Sequence, residues 1–234
     1  MNSKYQGLVV RKTAKKKTNF EVEILDHDFL PQGDVLIRVH YSTINYKDLM
    51  SVQGNPAITR RFPHTPGIDA VGVVEKSSSP KYSIGDRVAV LSTTMGMLSP
   101  GGFGQYISVP ESWVVSMPDI ISARTLMCYG TAGITALLAV SEIVSAEAPL
   151  EHRALVTGAT GGVGSFAVAL LKSVGFEVSA CSGREDQTDF LLSIGADEVV
   201  PRCELEAEQP QNLLKPRWWA AVDTAGPEIW SPGQ

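Results

Sequence analysis

Residues 154–164 read ALVTGATGGVG, a short apolar run that leads directly into a glycine-rich turn and then into an apolar helix. The turn matches the pattern G-x-G-x-x-G, except that Ala159 stands in the first glycine place, with Gly161 and Gly164 in the other two. Gly158, one residue earlier, can make the tight turn. Gly161 would let the backbone approach a pyrophosphate closely, and Gly164 would let the helix pack tightly on the strand.

The start of this helix is predicted to bind an anion. The backbone N–H groups of Gly162, Val163 and Gly164 lie in the first turn of the predicted helix, where no carbonyl of the helix can accept from them. The helix dipole adds partial positive charge at the same end. A glycine turn between a strand and a helix, with another strand following, indicates a dinucleotide site far more specifically than the glycines alone. The alternative is a glycine turn that binds no ligand.

The end of the next predicted strand, Phe176–Cys181, bears on which dinucleotide is bound. An NAD site usually carries Asp or Glu about 20 residues after the glycines, to accept a hydrogen bond from the ribose 2′-OH. Here the chain continues with Ser182, Gly183 and Arg184, whose hydroxyl, backbone N–H and guanidinium would attract a 2′-phosphate. Arg202, just after the following strand, could reach the same place. The sequence therefore favours NADPH, unless Arg184 simply lies exposed on the surface.

The chain has two kinds of sequence pattern. Up to about Pro118, short β-branched runs alternate with Gly and Pro, which is typical of a small barrel or folded sheet. From about Leu126 the order is β-α-β-α-β, which predicts a parallel sheet and an α/β fold with a β-rich first part. The predicted strands are Val35–Tyr41, Gly67–Glu75, Arg87–Leu91, Gln105–Val109, Ala154–Thr157, Phe176–Cys181, Glu198–Val200 and Trp219–Asp223. The predicted helices are Thr131–Val144, taken as buried, Gly162–Ser173 and Gln187–Ile194.

Composition excludes several classes of protein. With 234 residues, 44% of them hydrophobic, and a net charge of −5, the chain is predicted to fold and to have neither nucleic acid nor an anionic membrane as its main partner. Its apolar stretches are shorter than the ~20 residues that span a bilayer. Three cysteines without C-x-x-C spacing, and an N-terminus without an apolar signal, indicate a reducing compartment, the cytoplasm. The basic run Lys15–Lys17 is predicted to be a solvated hairpin loop.

Several further strings, in order and together with the glycine turn, resemble the zinc-free quinone-oxidoreductase branch of the medium-chain dehydrogenases/reductases, and most of all its acryloyl-CoA reductase subgroup. They are Asn45-Tyr46-Lys47-Asp48, Pro66-Gly67-Ile68-Asp69, Gly85-Asp86-Arg87-Val88, Gly130-Thr131-Ala132-Gly133, Ser182-Gly183-Arg184 and Val222-Asp223-Thr224-Ala225-Gly226. The resemblance implies a GroES-like catalytic domain, residues 1–125, and an NADP-binding Rossmann domain, residues 126–234. It also implies a cofactor in the cleft between them, a homodimer if the protein is full-length, and hydride transfer from NADPH to an activated C=C or a quinone.

No catalytic metal is expected. Zinc-dependent relatives place a Cys in the Tyr46 region and Gly-His-Glu where this chain has Gly67-Ile68-Asp69. Tyr and Ile are not zinc ligands in such sites. The four histidines, His27, His40, His64 and His152, have no paired spacing and are predicted to lie on the surface or in loops.

The catalytic candidates are Tyr46, Lys47 and Asp48. Reduction of an α,β-unsaturated carbonyl gathers negative charge on the carbonyl oxygen, so the protein must place donors there. Tyr46 could donate its hydroxyl or flank the nicotinamide, Lys47 could stabilise the charge, and Asp48 could relay a proton. The alternatives are ordinary packing for Tyr46 and helix capping for Asn45 and Asp48, which have N-cap/N3 spacing. Thr131 could bind the nicotinamide amide or merely cap its helix.

The second domain is expected to be incomplete. A doubly wound dinucleotide domain has two halves and about six strands, whereas the stretch from Ala154 to Gln234 suffices for one half and one further strand. The family's C-terminal segment, which returns to complete the catalytic domain, is also missing, so we expect a C-terminally truncated chain. The alternative function is therefore a protein that binds NADPH without turnover.

Overall fold

The computed structural model describes residues 4–13, 17–91, 93–146, 153–205 and 217–226. Contacts divide the chain into two compact units, Met1–Thr131 and Ala132–Gln234. The first unit is β-rich and antiparallel, and the second contains a parallel sheet with helices, so the fold is α/β as predicted.

The first unit begins with a β-hairpin. Strand β1, Lys4–Lys12, pairs antiparallel with β2, Thr18–Asp26. The Thr13 N–H donates to the Lys17 carbonyl at 2.7 Å, which closes the end of the hairpin. This is where a hairpin loop is predicted, although Lys15 and Lys16 lie outside the described residues.

An antiparallel sheet of five strands forms the main body of the first unit. Its strands lie in the order β6-β3-β4-β5-β7, and their buried apolar side chains form one core. The strands are β3 (Val35–Tyr41), β4 (Ala70–Ser77), β5 (Arg87–Val90), β6 (Tyr106–Val109) and β7 (Val114–Ser116). The sequence predicts the first four of these, and β7 was missed because three residues are too short to show a period of two.

The first unit differs from the prediction at the start of one strand and in the burial of one histidine. Strand β4 begins at Ala70 rather than at Gly67, because Gly67 has a φ of +106° and cannot continue a strand. His64 lies in the connection between α1 and β4, within the predicted choice of surface or loop, but it is buried: it is 4% exposed, and its Nε2 lies 2.8 Å from the Gly96 carbonyl oxygen. Its backbone pairs with that of Val10, and the imidazole ring lies in the interior. Burial lowers the pKa of His64.

Two helices follow the predicted positions with some differences. Helix α1, Tyr46–Val52, starts at the predicted cap. Helix α2, Ala123–Ser145, is broken at Gly130, where φ is +51° and ψ is −157°. The part after the break matches the predicted helix Thr131–Val144, and the part before it was not predicted.

The prediction that α2 is buried holds for only one of its faces. Ala136 and Val140 pack in the core of the second unit, whereas Leu137 and Leu138 are more than half exposed. Among the described residues, α2 is the one helix that length and composition alone would allow to cross a membrane.

The second unit is built as the sequence predicts, with four parallel strands in the order β10-β9-β8-β11. Helix α3 follows β8, and α4 follows β9. The elements are β8 (Arg153–Val156), α3 (Gly162–Ser173), β9 (Glu177–Ser182), α4 (Thr188–Ser193), β10 (Glu198–Pro201) and β11 (Ala220–Val222).

The core of the second unit fixes the position of α3. Val168 and Leu171 on α3 pack with Val156, Phe176 and Val178 on or beside the sheet, and all five are fully or almost fully buried. Since the strands are parallel, all four carboxyl ends lie at one edge of the sheet. The glycine turn, the Ser182–Arg184 segment, Arg202 and the residues after β11 therefore share that edge.

Candidate functional site

The glycine turn after β8 is held in place by backbone hydrogen bonds. Gly158 has a φ of +57°, which favours glycine. The Ala159 N–H donates to the Cys181 carbonyl at 3.1 Å, so the turn is joined to the end of β9. The Gly161 N–H donates to the Gly158 carbonyl at 2.9 Å. The turn thus has one defined conformation at the carboxyl edge of the sheet.

Two glycines of the turn have different surroundings. A Cβ on Gly164 would lie 2.3 Å from the Gly158 carbonyl oxygen, so Gly164 permits close packing of the helix on the turn that follows β8. A Cβ on Gly161 would meet a single atom within 4 Å, the Gly158 carbonyl oxygen at 3.2 Å. The backbone at Gly161 is exposed, so another molecule can approach it closely.

The N-terminus of α3 offers hydrogen-bond donors. The first N–H to bond within the helix is that of Ser165, which donates to the Gly161 carbonyl at 2.9 Å. The N–H groups of Gly162, Val163 and Gly164 precede it, and the described residues provide no acceptor for them. Such N–H groups at the positive end of a helix dipole suit a phosphate or pyrophosphate.

The residues predicted to hold a 2′-phosphate come together at the ends of β9 and β10. Pro201 pairs with Ser182, which brings Arg202 beside Gly183, and a Cβ on Gly183 would lie 3.8 Å from the Arg202 Cδ. The Arg184 N–H donates to the Ser182 hydroxyl at 3.0 Å. Both guanidinium side chains are exposed, and Ser182 is 8% exposed. Two positive charges therefore lie at the same edge of the sheet as the glycine turn.

A polar cluster that the sequence analysis missed joins the glycine turn to the segment after β11. The Thr157 hydroxyl donates to the Asp223 carboxylate, and the Thr224 N–H donates to the Thr157 hydroxyl at 3.0 Å. The signal was present in the sequence, since Thr157 directly follows β8 and Asp223-Thr224 directly follows β11. Without the strand order, however, nothing shows that these two strands are neighbours.

Asp48 lies at the start of α1 in the first unit, with both carboxylate oxygens occupied. It accepts hydrogen bonds from the N–H groups of Asn45 at 2.7 Å and of Gly67 and Ile68 at 3.0 Å each. The side chain is 1% exposed. Burial raises the pKa of Asp48, although the three N–H donors oppose this. The arrangement favours the capping alternative over the proton relay.

Asp69 is a second buried carboxylate, and the sequence analysis gave it no role. It accepts from the Asn45 side-chain amide at 2.9 Å, from the Thr131 N–H at 2.9 Å and from the Thr131 hydroxyl at 2.5 Å. A Cβ on Gly130 would lie 2.8 Å from an Asp69 carboxylate oxygen, so the break in α2 needs glycine. Asp69 thereby links the start of α1 to Thr131.

Tyr46 and Lys47 are exposed on the first turn of α1, with Tyr46 75% exposed. Their side chains are accessible to a small molecule, and their catalytic roles stay predictions. Asn45 and Asp48 fix the turn that carries them.

The predicted absence of a catalytic metal also stays a prediction. Within the described ranges, no group of three or more His, Cys, Asp or Glu side chains could hold a metal ion. Ile68 is buried and offers no ligand atom.

Comparison with known proteins gives a consistent result. Residues 31–119 match the alcohol dehydrogenase GroES-like domain. The chain is 42% identical over 214 residues to a probable acrylyl-CoA reductase of Escherichia coli, covering 91% of this chain and 65% of the relative. It is 39% identical over 224 residues to an acrylyl-CoA reductase of Ruegeria pomeroyi, covering 95% of this chain and 68% of the relative. The chain thus spans about two thirds of the length of these curated relatives.

Two solved structures are also similar to this chain. The yhdH oxidoreductase of Salmonella enterica, in complex with NADP, is 39% identical and superposes with a TM-score of 0.91 over 96% of this chain and 68% of that one. The Bacillus subtilis protein yhfP, with NAD bound, is 38% identical and has a TM-score of 0.90 over 96% of this chain and 68% of that one.

We expect Gly164→Ala to destabilise the protein by about 2–3 kcal/mol, because the added methyl group meets backbone that cannot move aside. Gly161→Ala is the matched control within the same turn, and its cost should stay below about 1 kcal/mol, because Gly161 has an extended backbone (φ −77°, ψ 170°) that alanine also adopts. Urea unfolding of both variants measures the difference. Equal losses would contradict the assigned packing role of Gly164.

We expect Asp48 to titrate above the ordinary aspartate pKa of about 3.9 in a carbon-detected NMR titration. The native state then binds this proton more tightly than the unfolded chain does. Ionisation of Asp48 therefore removes stability as pH rises from about 3.9 through the raised native pKa. Glu23 provides an internal comparison, since its hydrogen bond with Arg11 lowers its pKa. A native pKa for Asp48 below the ordinary value would contradict the dominance of burial.

Proposed function

Because the chain belongs to the medium-chain dehydrogenase/reductase family, with its quinone oxidoreductases and acrylyl-CoA reductases, we propose that it is an NADPH-dependent oxidoreductase. Its acceptor is a small molecule with an activated C=C, such as an acrylyl-CoA-type thioester, or a quinone. The observation that carries the proposal is the open N-terminus of α3, which lies at the same sheet edge as Arg184 and Arg202.

The pyrophosphate would bind at the glycine turn. The N–H groups of Gly162, Val163 and Gly164 would donate to its oxygens. Because Gly161 has no side chain, the pyrophosphate could approach the backbone there closely. The absence of a side chain at Gly161 is what makes room for the anion, because an added Cβ would project into otherwise open space.

The 2′-phosphate of NADPH would bind beside Ser182 and Gly183. Charge-assisted hydrogen bonds from Arg184 and Arg202 would hold it, and Ser182 organises the Arg184 backbone. The chain has Ser-Gly-Arg at the end of β9 in place of a carboxylate that would accept from a ribose 2′-OH. The donor set therefore supports NADPH over NADH, although one similar structure contains NAD.

NADPH, when bound, supplies the hydride. Tyr46 and Lys47 are our candidates for donors to the carbonyl or quinone oxygen, where negative charge gathers during reduction. Both side chains are exposed on a turn that Asp48 and Asn45 hold rigidly. Asp48 then acts by positioning Tyr46, and Thr131 stays the candidate for the nicotinamide amide.

We also propose that the reaction proceeds without a catalytic metal, because Tyr46 and Ile68 stand where zinc-dependent relatives carry ligands. We further propose that the protein works in the cytoplasm and that its full-length form is a homodimer. Three cysteines without a disulfide pattern support the compartment, and the family resemblance supports the dimer.

Arg184→Ala should raise the Kd for NADPH about tenfold or more, because losing a hydrogen bond to a charged group costs about 1.5–3 kcal/mol. The Kd for NADH should change little. Calorimetry on the full chain measures both. Arg153→Ala is the matched control, since this guanidinium lies at the opposite edge of the same sheet and pairs with Glu177. An unchanged preference between NADPH and NADH would remove Arg184 from the site.

Activity is tested by following NADPH consumption by the full chain with acrylyl-CoA and with a small quinone. Tyr46→Phe should lower kcat by about a hundredfold with the NADPH Kd unchanged, because one donor to the developing charge is lost. Tyr41→Phe, another exposed tyrosine, is the control and should keep full activity. NADPH binding without turnover would support the alternative, a nucleotide-binding protein, and no NADPH binding would contradict both.

A further inference from the structure

Thr157 carries a fully buried hydroxyl at the point where β8 becomes the glycine turn. A buried hydroxyl needs partners, since burying it without them costs free energy. It donates to Asp223, and it accepts from the Thr224 N–H at 3.0 Å. The Thr224 hydroxyl in turn donates to the Thr157 carbonyl at 2.8 Å. Three hydrogen bonds therefore join two residues after β11 to this one threonine.

Asp223 is itself held by the chain that follows it. The same carboxylate oxygen that accepts from Thr157 also accepts from the N–H groups of Ala225 at 3.1 Å and Gly226 at 3.2 Å. These hydrogen bonds partly offset the negative charge of the Asp223 carboxylate, which lies at the same sheet edge as the proposed phosphate site. Residues 223–226 thus form a folded cap over the start of the turn, which we call the β11 cap.

The β11 cap acts on the anion site through Gly158. A Cβ on Gly158 would lie 2.4 Å from the Thr224 hydroxyl oxygen, so the two segments are in close contact. The Gly158 carbonyl accepts from the Gly161 N–H, and its oxygen lies 2.3 Å from the place that a Cβ on Gly164 would take. The position of Gly158 therefore determines where the N-terminus of α3 lies.

We propose that Thr157 is a positioning residue for nucleotide binding, which locks the glycine turn to the β11 cap and thereby aims the N–H groups of α3 at the pyrophosphate. This proposal rests on the proposed function of the site. Backbone pairing between β11 and β8 covers three residues and continues with the Thr157 N–H, which donates to the Val222 carbonyl at 3.1 Å, so this pairing ends at Thr157. The hydroxyl bonds of Thr157 extend the restraint past the end of the strands to the turn itself.

The test compares Thr157→Val, which keeps the shape but removes the hydroxyl, with Thr157→Ser, which keeps the hydroxyl. Two probes are used with the full chain: NADPH, and adenosine 2′-monophosphate, which has the 2′-phosphate but no pyrophosphate. Thr157→Val should raise the Kd for NADPH about tenfold, within the range of coupling between neighbouring groups, and leave the Kd for adenosine 2′-monophosphate within about twofold. Thr157→Ser should bind both as the unmodified protein does.

Ser179→Ala is the matched control for stability. Ser179 is 1% exposed in the middle of β9, and its hydroxyl donates to Glu198 at 3.1 Å. This variant also loses a buried hydroxyl from the same sheet, and it should lower Tm while leaving the NADPH Kd unchanged. The proposal would be overturned if Ser179→Ala weakened NADPH binding as much as Thr157→Val does, or if Thr157→Val did not weaken it at all. If the unmodified protein binds neither probe, the proposed function fails instead.

Discussion

The candidate site depends on the parallel pairing of β8 with both β9 and β11. Four segments that are far apart in the sequence meet because parallel strands end at one edge of their sheet. The glycine turn after β8 supplies the N–H donors, the ends of β9 and β10 supply the guanidinium groups, and the residues after β11 hold the turn. Without this strand order, the same residues would be four unrelated loops.

Buried polar groups fix the local geometry in both units. In the first unit, Asp48 and Asp69 gather backbone and side-chain donors around the start of α1 and the break in α2. In the second, the Thr157 hydroxyl performs the same task between the turn and the β11 cap. A buried carboxylate or hydroxyl is costly unless its partners are in place, so each of these groups restricts the backbone to one conformation.

Sequence patterns located the elements well where the local signal is strong. Helix α3 has the predicted bounds, because an open glycine turn starts it and the chain after Ser173 reaches Gly175, whose φ is +99°. Where bounds differed, a specific interaction was responsible. Strand β4 starts late because Gly67 has a positive φ and both Gly67 and Ile68 donate to Asp48. Helix α2 breaks at Gly130, next to the Thr131 N–H that donates to Asp69. Such interactions join residues about 20 to 60 positions apart, and hydrophobic periodicity, which is read over short windows of sequence, cannot predict them.

The sequence by itself determined that residues 154–164 make a strand, a glycine turn and a helix start, because glycine spacing and apolar periodicity are local properties of the chain. It also determined which side chains, Arg184 and Arg202 among them, have the charge to meet a phosphate. Only the tertiary structure decided that Thr157 meets Asp223 and that Asp69 meets Thr131. Those contacts follow from strand order and burial, and the free energy that selects them comes from satisfying polar groups that folding has removed from water.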